Sequence, residues 1–441
     1  MCRWKRNKLG SSRRPIADPV SKDKRGASVN WKCCALVSIV LVLLVLTGCM
    51  QALPEESRFG ELLSVKEVAA IPQFMLQSIL NLAGSGITVR YSVKTFAVTF
   101  SSESFDGTES VESGLVILPV AQTNGDCAPM PLSLLSIQHG TIFTRAQSPS
   151  NFSFSLFTNN PESYTGLVAA GMGYAVVMPD YSGLGVDDST VHLLCHARSL
   201  ANSVLNMVRA GEQLLETMPN VYQWDRRLFL AGYSEGGYAS LAAGRFIQEY
   251  CRKEYSVTGI ASMAGPANLS SVMRDIVLED ERYPHLDFLA YLIFGYNSVY
   301  NWFEDPEEAF LPPYNDTLPL LIDGEHNEDQ IRNALSNIGV GQPSSILTQR
   351  VFRELRDPGS AVYRALAQND LHNTWVPNMP IWMAHSAEDE TVPVENTRTA
   401  VNFFRSKGVS VTYVELPTGQ HRESYIPAFL MALVWIESFR S

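Results

Sequence analysis

The sequence predicts an α/β fold: a mostly parallel sheet with helices on both faces and a mainly helical insertion over one sheet edge. Three observations carry this. Apolar runs of strand length alternate with helix-period segments from residue 87 to the end of the chain. The strand RLFLAGY (227–233) passes through Ser234 directly into the helix-forming EGGYASLAAGRFI (235–247). Residues 267–377 interrupt the alternation before the last two strands. A structureless loop of that length does not fit a compact domain, so this segment reads as a cap.

The elements follow in order. Residues 50–85 read as an irregular or helical lead-in. ITVRYSVKTFAVTF, the turn FDGTES and GLVILPV form a hairpin. LSLLSI is a buried strand running into QHG, and YAVVMPD (174–180) is another, ending in the turn DYSGLG. SLANSVLNMVRAGEQLLETM carries Leu200, Val204, Val208, Leu214 and Leu215 at helical spacing. After RLFLAGY come a helix over Glu235–Tyr250 and the strand VTGIASMAG (257–265). The strand PIWMAHS (380–386), a helix from about Val394 to Arg405, the strand VSVTYVELP and a last helix from about Glu423 complete the core. The core is therefore 86–266 with 378–441. The insertion holds DFLAYLIFGYNSVYNWF (287–303) and a helical stretch from about Asp329 to Leu355. It would lie over the carboxyl ends of the strands, where open α/β sheets bind ligands. Its aromatic stripe reads mainly as cap core, with Phe288, Tyr291, Phe294 and Tyr300 available to line a pocket.

Ten of the 34 Lys and Arg residues fall in residues 1–48, leaving 24 basic against 43 acidic side chains in the remainder. An acidic body repels polyanions and excludes nucleic acid as a natural partner. The basic start precedes an apolar run, Ala35 to Leu46, of signal-peptide length. It ends in Leu46-Thr47-Gly48-Cys49, which resembles a bacterial lipobox. Residues 1–48 thus read as a signal peptide. Cys49 would become a lipidated N-terminus anchoring an exported, cell-envelope protein to a membrane; a secreted or signal-anchored form is the alternative. Cys127, Cys195 and Cys251 would remain, allowing one disulfide at most, with the pair left open. Their spacing is not of zinc type.

The segment GYSEGG carries the chemistry. A serine between glycines on a strand–turn–helix junction is a nucleophile elbow, with its hydroxyl raised above the sheet beside a helix N-terminus. A serine hydroxyl needs a base, itself oriented by an acid. In this architecture the chain order is serine, acid, histidine. His421, between the last strand and the last helix, is the base. Asp389 in EDETVP, after the preceding strand, is the acid, with Glu388 and Glu390 as solvated loop charges. The oxyanion hole would use the backbone N–H of Glu235 and that of Thr141 in QHGT. His139 would brace that loop, and Asp180 a turn. His192 and His196 in HLLCH stand at i, i+4, but Leu193 replaces the glutamate of the zinc-protease motif, so both read as structural. No metal and no cofactor are expected.

These segments together resemble the secretory lipase family, the lipase A-type enzymes of the α/β-hydrolase superfamily, from about residue 85 onward. The likeness rests on QHGT (138–141), GYAVVMPDYSGLG (173–185), HLLCHA (192–197), GYSEGG (232–237), EDETVP (388–393) and GQHR (419–422). In HLLCHA, leucines stand where such proteins often carry proline and tyrosine. The resemblance implies hydrolysis of carboxylic esters, acylglycerols among them, through an acyl-enzyme beneath a lid. A serine peptidase acting on small peptides is the alternative; a non-catalytic binding protein on the same scaffold is the other.

Overall fold

The computed structural model describes residues 59–82, 85–121, 128–154, 161–335 and 341–440. The proposed signal peptide, Cys49 and Cys127 lie outside them. Nine strands form one sheet in the order β1-β2-β3-β5-β4-β6-β7-β8-β9. They are β1 (Leu62–Ile71), β2 (Val93–Glu103), β3 (Glu109–Pro119), β4 (Met130–Gln138), β5 (Tyr174–Pro179), β6 (Tyr222–Tyr233), β7 (Val257–Met263), β8 (Ile381–Ser386) and β9 (Val411–Leu416). From β5 across to β9 every neighbouring pair is parallel. β1, β2 and β3 add an antiparallel edge that joins β5 through β3. This is the predicted mostly parallel α/β-hydrolase sheet.

Helices cover both faces. On one lie α1 (Gln73–Leu82), α2 (Ser163–Met172) and α12 (His421–Glu437), packed on Leu135, Val176, Phe229 and Ala261. On the other lie α3 (Ala197–Glu216), α4 (Glu235–Tyr250) and α11 (Glu395–Ser406), packed on Leu134, Val177, Leu230 and Ile260. Alternate residues of each central strand thus feed opposite cores, as the pleat requires. Between β7 and β8 the cap contributes α5 (Arg274–Glu279), α6 (Leu286–Tyr300), α7 (Tyr314–Leu321), α8 (Glu328–Ala334), α9 (Gln349–Arg356) and α10 (Ala361–Gln368). Its apolar residues, among them Leu286, Tyr296, Phe310 and Leu355, are continuous with the α3–α4 core.

Three expectations are corrected. The lead-in is ordered sheet rather than irregular chain: β1 pairs with β2 over Leu62 to Ile71, and only α1 is helical. The stretch from Asp329 to Leu355 is not one helix. α8 ends at Ala334, Gly341 bridges to Tyr283, and Pro343 opens a short 3-10 turn before α9. Glycine and proline there break the helical ladder. His421 is the first residue of α12 rather than a loop residue.

Candidate active site

Ser234 follows β6 and precedes α4 with φ 57° and ψ −126°. A side chain in this left-handed region is uncommon and strained. The glycines make the turn possible by close approach. A Cβ at Gly232 would meet the Gly236 carbonyl oxygen at 2.2 Å, and one at Gly236 would meet that of Gln138 at 2.0 Å. The Ser234 N–H donates to the Met263 carbonyl at 2.8 Å, tying the elbow to β7.

His421 reaches this serine from the far side of the sheet's carboxyl edge. Its Nε2 lies 2.9 Å from Ser234 Oγ, and its Nδ1 lies 2.6 Å from Asp389 Oδ2. The Asp389 carboxylate is fully buried. Oδ1 accepts the N–H groups of Thr391 (3.0 Å) and Val392 (2.8 Å). Burial opposes its charge, but hydrogen bonds from His385 and His421 hold the carboxyl well below the usual range. The structure thus brings together three residues separated by 187 and 32 positions in sequence.

Four supports are not legible in the sequence. His385 Nε2 lies 3.1 Å from Asp389 Oδ2 and 2.8 Å from the Val392 carbonyl. Both are acceptors, so this nitrogen carries the proton, and Nδ1 is free to accept from Thr397 Oγ1 at 2.7 Å. Glu390 accepts the His421 N–H at 2.9 Å, and Glu388 accepts the Gly419 N–H at 3.2 Å. These two glutamates are therefore not merely solvated charges. They fix the turn that delivers the imidazole, which only the tertiary approach of the two loops reveals.

The loop after β4 approaches the elbow closely: a Cβ at Gly140 would lie 3.6 Å from Ser234 Cβ. The Gly140 N–H donates to Glu162 at 2.9 Å. Burial raises the Glu162 carboxyl to about 7, against the lowering effect of that bond. His139 Nδ1 lies 2.7 Å from the Gly140 carbonyl, and Tyr181 Oη donates to the His139 carbonyl at 3.0 Å. The loop is braced from both sides, and Thr141 borders the same cavity as Ser234 and Glu235. Glu235 opens α4, so its N–H has no acceptor one turn back within the helix.

The Glu235 side chain does separate work. Oε1 lies 2.8 Å from His192 Nε2 and accepts the Cys195 N–H at 3.1 Å. His192 Nδ1 faces the Ser182 carbonyl at 3.0 Å. Both ring nitrogens face acceptors. Burial opposes the imidazolium, but Glu235 raises its pKa. His196 instead caps α3 through the Ser199 N–H. The two histidines thus hold different structural posts. Asp180 accepts from Ser113 Oγ (2.5 Å) and the Ser150 N–H (2.9 Å), joining β3, β5 and the turn between them. Cys195 and Cys251 are free thiols.

The cavity over Ser234 is lined mainly by apolar side chains, most of them from the cap, including Met273, Val277, Leu292, Val351 and Leu366, with Leu194 and Val392 contributed from outside it. Of the four cap aromatics considered, Phe288 borders it. Tyr291 stacks on Phe143 (4.9 Å), Phe294 on Phe310 (5.1 Å) and Tyr300 on Trp302 (6.0 Å), as core.

Comparison with known proteins agrees with this architecture. No curated protein matches the sequence. Among solved structures, the rice cell wall degrading esterase LipA from Xanthomonas oryzae superposes with TM-score 0.73 at 22% identity, over 87% of this chain and 98% of that one. A Legionella pneumophila protein superposes with TM-score 0.74 at 25% identity, over 86% and 98%. Candida antarctica lipase A is more distant, with TM-score 0.58 at 16% identity over 83% and 78%. A family model, Secretory lipase, matches residues 155–296 and 338–440, more than half of the chain. The chain belongs to the secretory lipase family, carboxylic ester hydrolases of the α/β-hydrolase fold.

Proposed function

We propose that this enzyme cleaves esters with an apolar acyl chain through an acyl-enzyme on Ser234. Ser234 Oγ attacks the ester carbonyl carbon while His421 Nε2 takes the hydroxyl proton. The Thr141 and Glu235 N–H groups donate to the oxyanion of the tetrahedral intermediate. Collapse expels the alcohol, which leaves with the proton from His421. Water, deprotonated by His421, then releases the carboxylic acid and restores the serine. Asp389 holds the imidazole with Nδ1 protonated throughout. The relay from Asp389 through His421 to Ser234, at 2.6 and 2.9 Å beneath an apolar cavity, carries this reading. Such a cavity suits aliphatic acyl chains of small esters or acylglycerols and offers few partners for a peptide backbone.

The test is an assay on p-nitrophenyl esters from acetate to palmitate. Ser234→Ala is expected to lower kcat by about 10⁶-fold. Full activity in that variant, or a folded wild type inert on every ester, would sink the proposal. We further propose that the protein is exported and lipidated at Cys49; incorporation of labelled fatty acid should vanish in Cys49→Ala. No described helix is long and apolar enough to cross a membrane.

A further inference from the structure

Away from the serine, the cap gathers three ligand-type side chains. His285 immediately precedes α6, Asp287 lies in its first turn, and Glu328 opens α8. One nitrogen and two carboxylate oxygens from these residues lie within 4.8 Å of one another. Asp287 is fully buried, yet among the described residues neither of its carboxylate oxygens has a hydrogen-bond partner. His285 is 6% exposed, and its Nδ1 is equally unpartnered. The gap from His285 Nδ1 to Asp287 Oδ1 is 3.8 Å, too long for a hydrogen bond. It fits two ligands of one ion, each roughly 2 Å from the metal.

Glu328 is already neutralised. Arg332 approaches Oε1 at 3.1 Å, and Arg422 approaches Oε1 and Oε2 at 2.8 and 2.6 Å. A carboxylate has about four lone-pair sites, so one remains for a metal. The charge on Asp287 has no such compensation. A buried carboxylate with no donor is costly, and a cation is the partner that offsets charge as well as hydrogen bonding.

We propose that His285, Asp287 and Glu328 bind one divalent transition-metal ion of the zinc class. The imidazole disfavours calcium and magnesium, which take oxygen ligands, and three protein ligands leave a fourth position for water. The ion would pin α6 to α8. His285 stacks on Phe288 at 4.5 Å, and Phe288 borders the cavity over Ser234, so the ion would also fix one wall of that cavity.

The experiment is a calorimetric titration of chelator-treated, full-length protein with zinc sulfate, alongside thermal melts. One equivalent should bind, and Tm should rise by several degrees. Asp287→Asn and Glu328→Gln should each weaken binding at least about tenfold, with the partly exposed Glu328 keeping the test open if the buried variant fails to fold. Cobalt substitution should give visible absorption bands in wild type that His285→Ala abolishes. No stoichiometric binding in wild type would overturn the proposal. So would unchanged binding in the variants, which would place the ion elsewhere. So would an Asp287→Asn protein that melts higher than chelator-treated wild type while wild type gains nothing from zinc.

Discussion

The core and the cap place their residues by different means. In the core, each residue of the proposed triad sits where a strand ends. Ser234 follows β6, Asp389 follows β8, and His421 follows β9 at the head of α12. Backbone geometry fixes them, and glycines clear the space around the serine. In the cap, the side chains over the cavity come from several short helices and are apolar almost throughout. Under the proposed function, chemistry belongs to the sheet edge and selectivity to the helices of one insertion.

The first way to break this comparison is to damage the core alone. Asp389→Asn should leave the fold intact and lower kcat by about 10⁴-fold, because an amide facing His421 Nδ1 imposes the wrong tautomer. Burst and steady-state rates on a short ester would measure it. A loss below tenfold would mean that another group orients His421.

The second damages the cap alone. Leu292→Trp narrows the cavity, and the ratio of kcat/KM for palmitate over acetate esters should fall roughly tenfold, with acetate hardly changed. Equal losses on both substrates would show that Leu292 supports the catalytic geometry as well, and the division between the regions would fail.

The smallest expected effect concerns the antiparallel edge. Burial raises the Glu112 carboxyl on β3 to about 7, against the hydrogen bond from Ser102. Its unfolded value is about 4.3. The folded state therefore binds this proton more tightly. Its stabilisation is complete below about pH 4 and is lost as pH rises through about 7. Glu162 at about 7 and Asp180 at about 6 act in the same direction. Glu112→Gln should melt above wild type at pH 8, with that advantage gone at pH 4. An advantage independent of pH would point to packing instead.

The sequence revealed the core far better than the cap. Strands β3 to β8 contain the apolar runs that a buried strand requires, and β2 and β9 carry β-branched and aromatic residues that mark a strand even where burial is partial. β1 escaped because its residues are exposed or half-buried almost throughout, as in an edge strand, so LLSVKEVAAI shows no clean alternation. It is a strand because β2 offers it a partner. In the insertion, the stretch around Gly341 and Pro343 carried a break that helix-period reading overrode. Ser234, Asp389 and His421, which we propose as the triad, could each be read as candidates because each follows a strand. Glu162, His385 and the carboxylate of Glu235 were not, because their partners are set by tertiary approach. Glu162 meets a loop 22 residues away, and Glu235 meets His192 across 43.

The contact between Tyr296 and Cys195 bears on how firmly the cap is held over the site. Tyr296 is fully buried, and its hydroxyl donates to the Cys195 carbonyl at 2.8 Å. The Cys195 N–H is in turn held by the Glu235 side chain. α6 is thereby riveted to Glu235, the residue that follows Ser234. Lifting it would expose Leu286, Tyr291 and Tyr296 together, at about 25 cal/mol for each Å² of apolar surface. α6 therefore stands as a doorpost of the cavity, tied through Tyr296 to a residue of its floor.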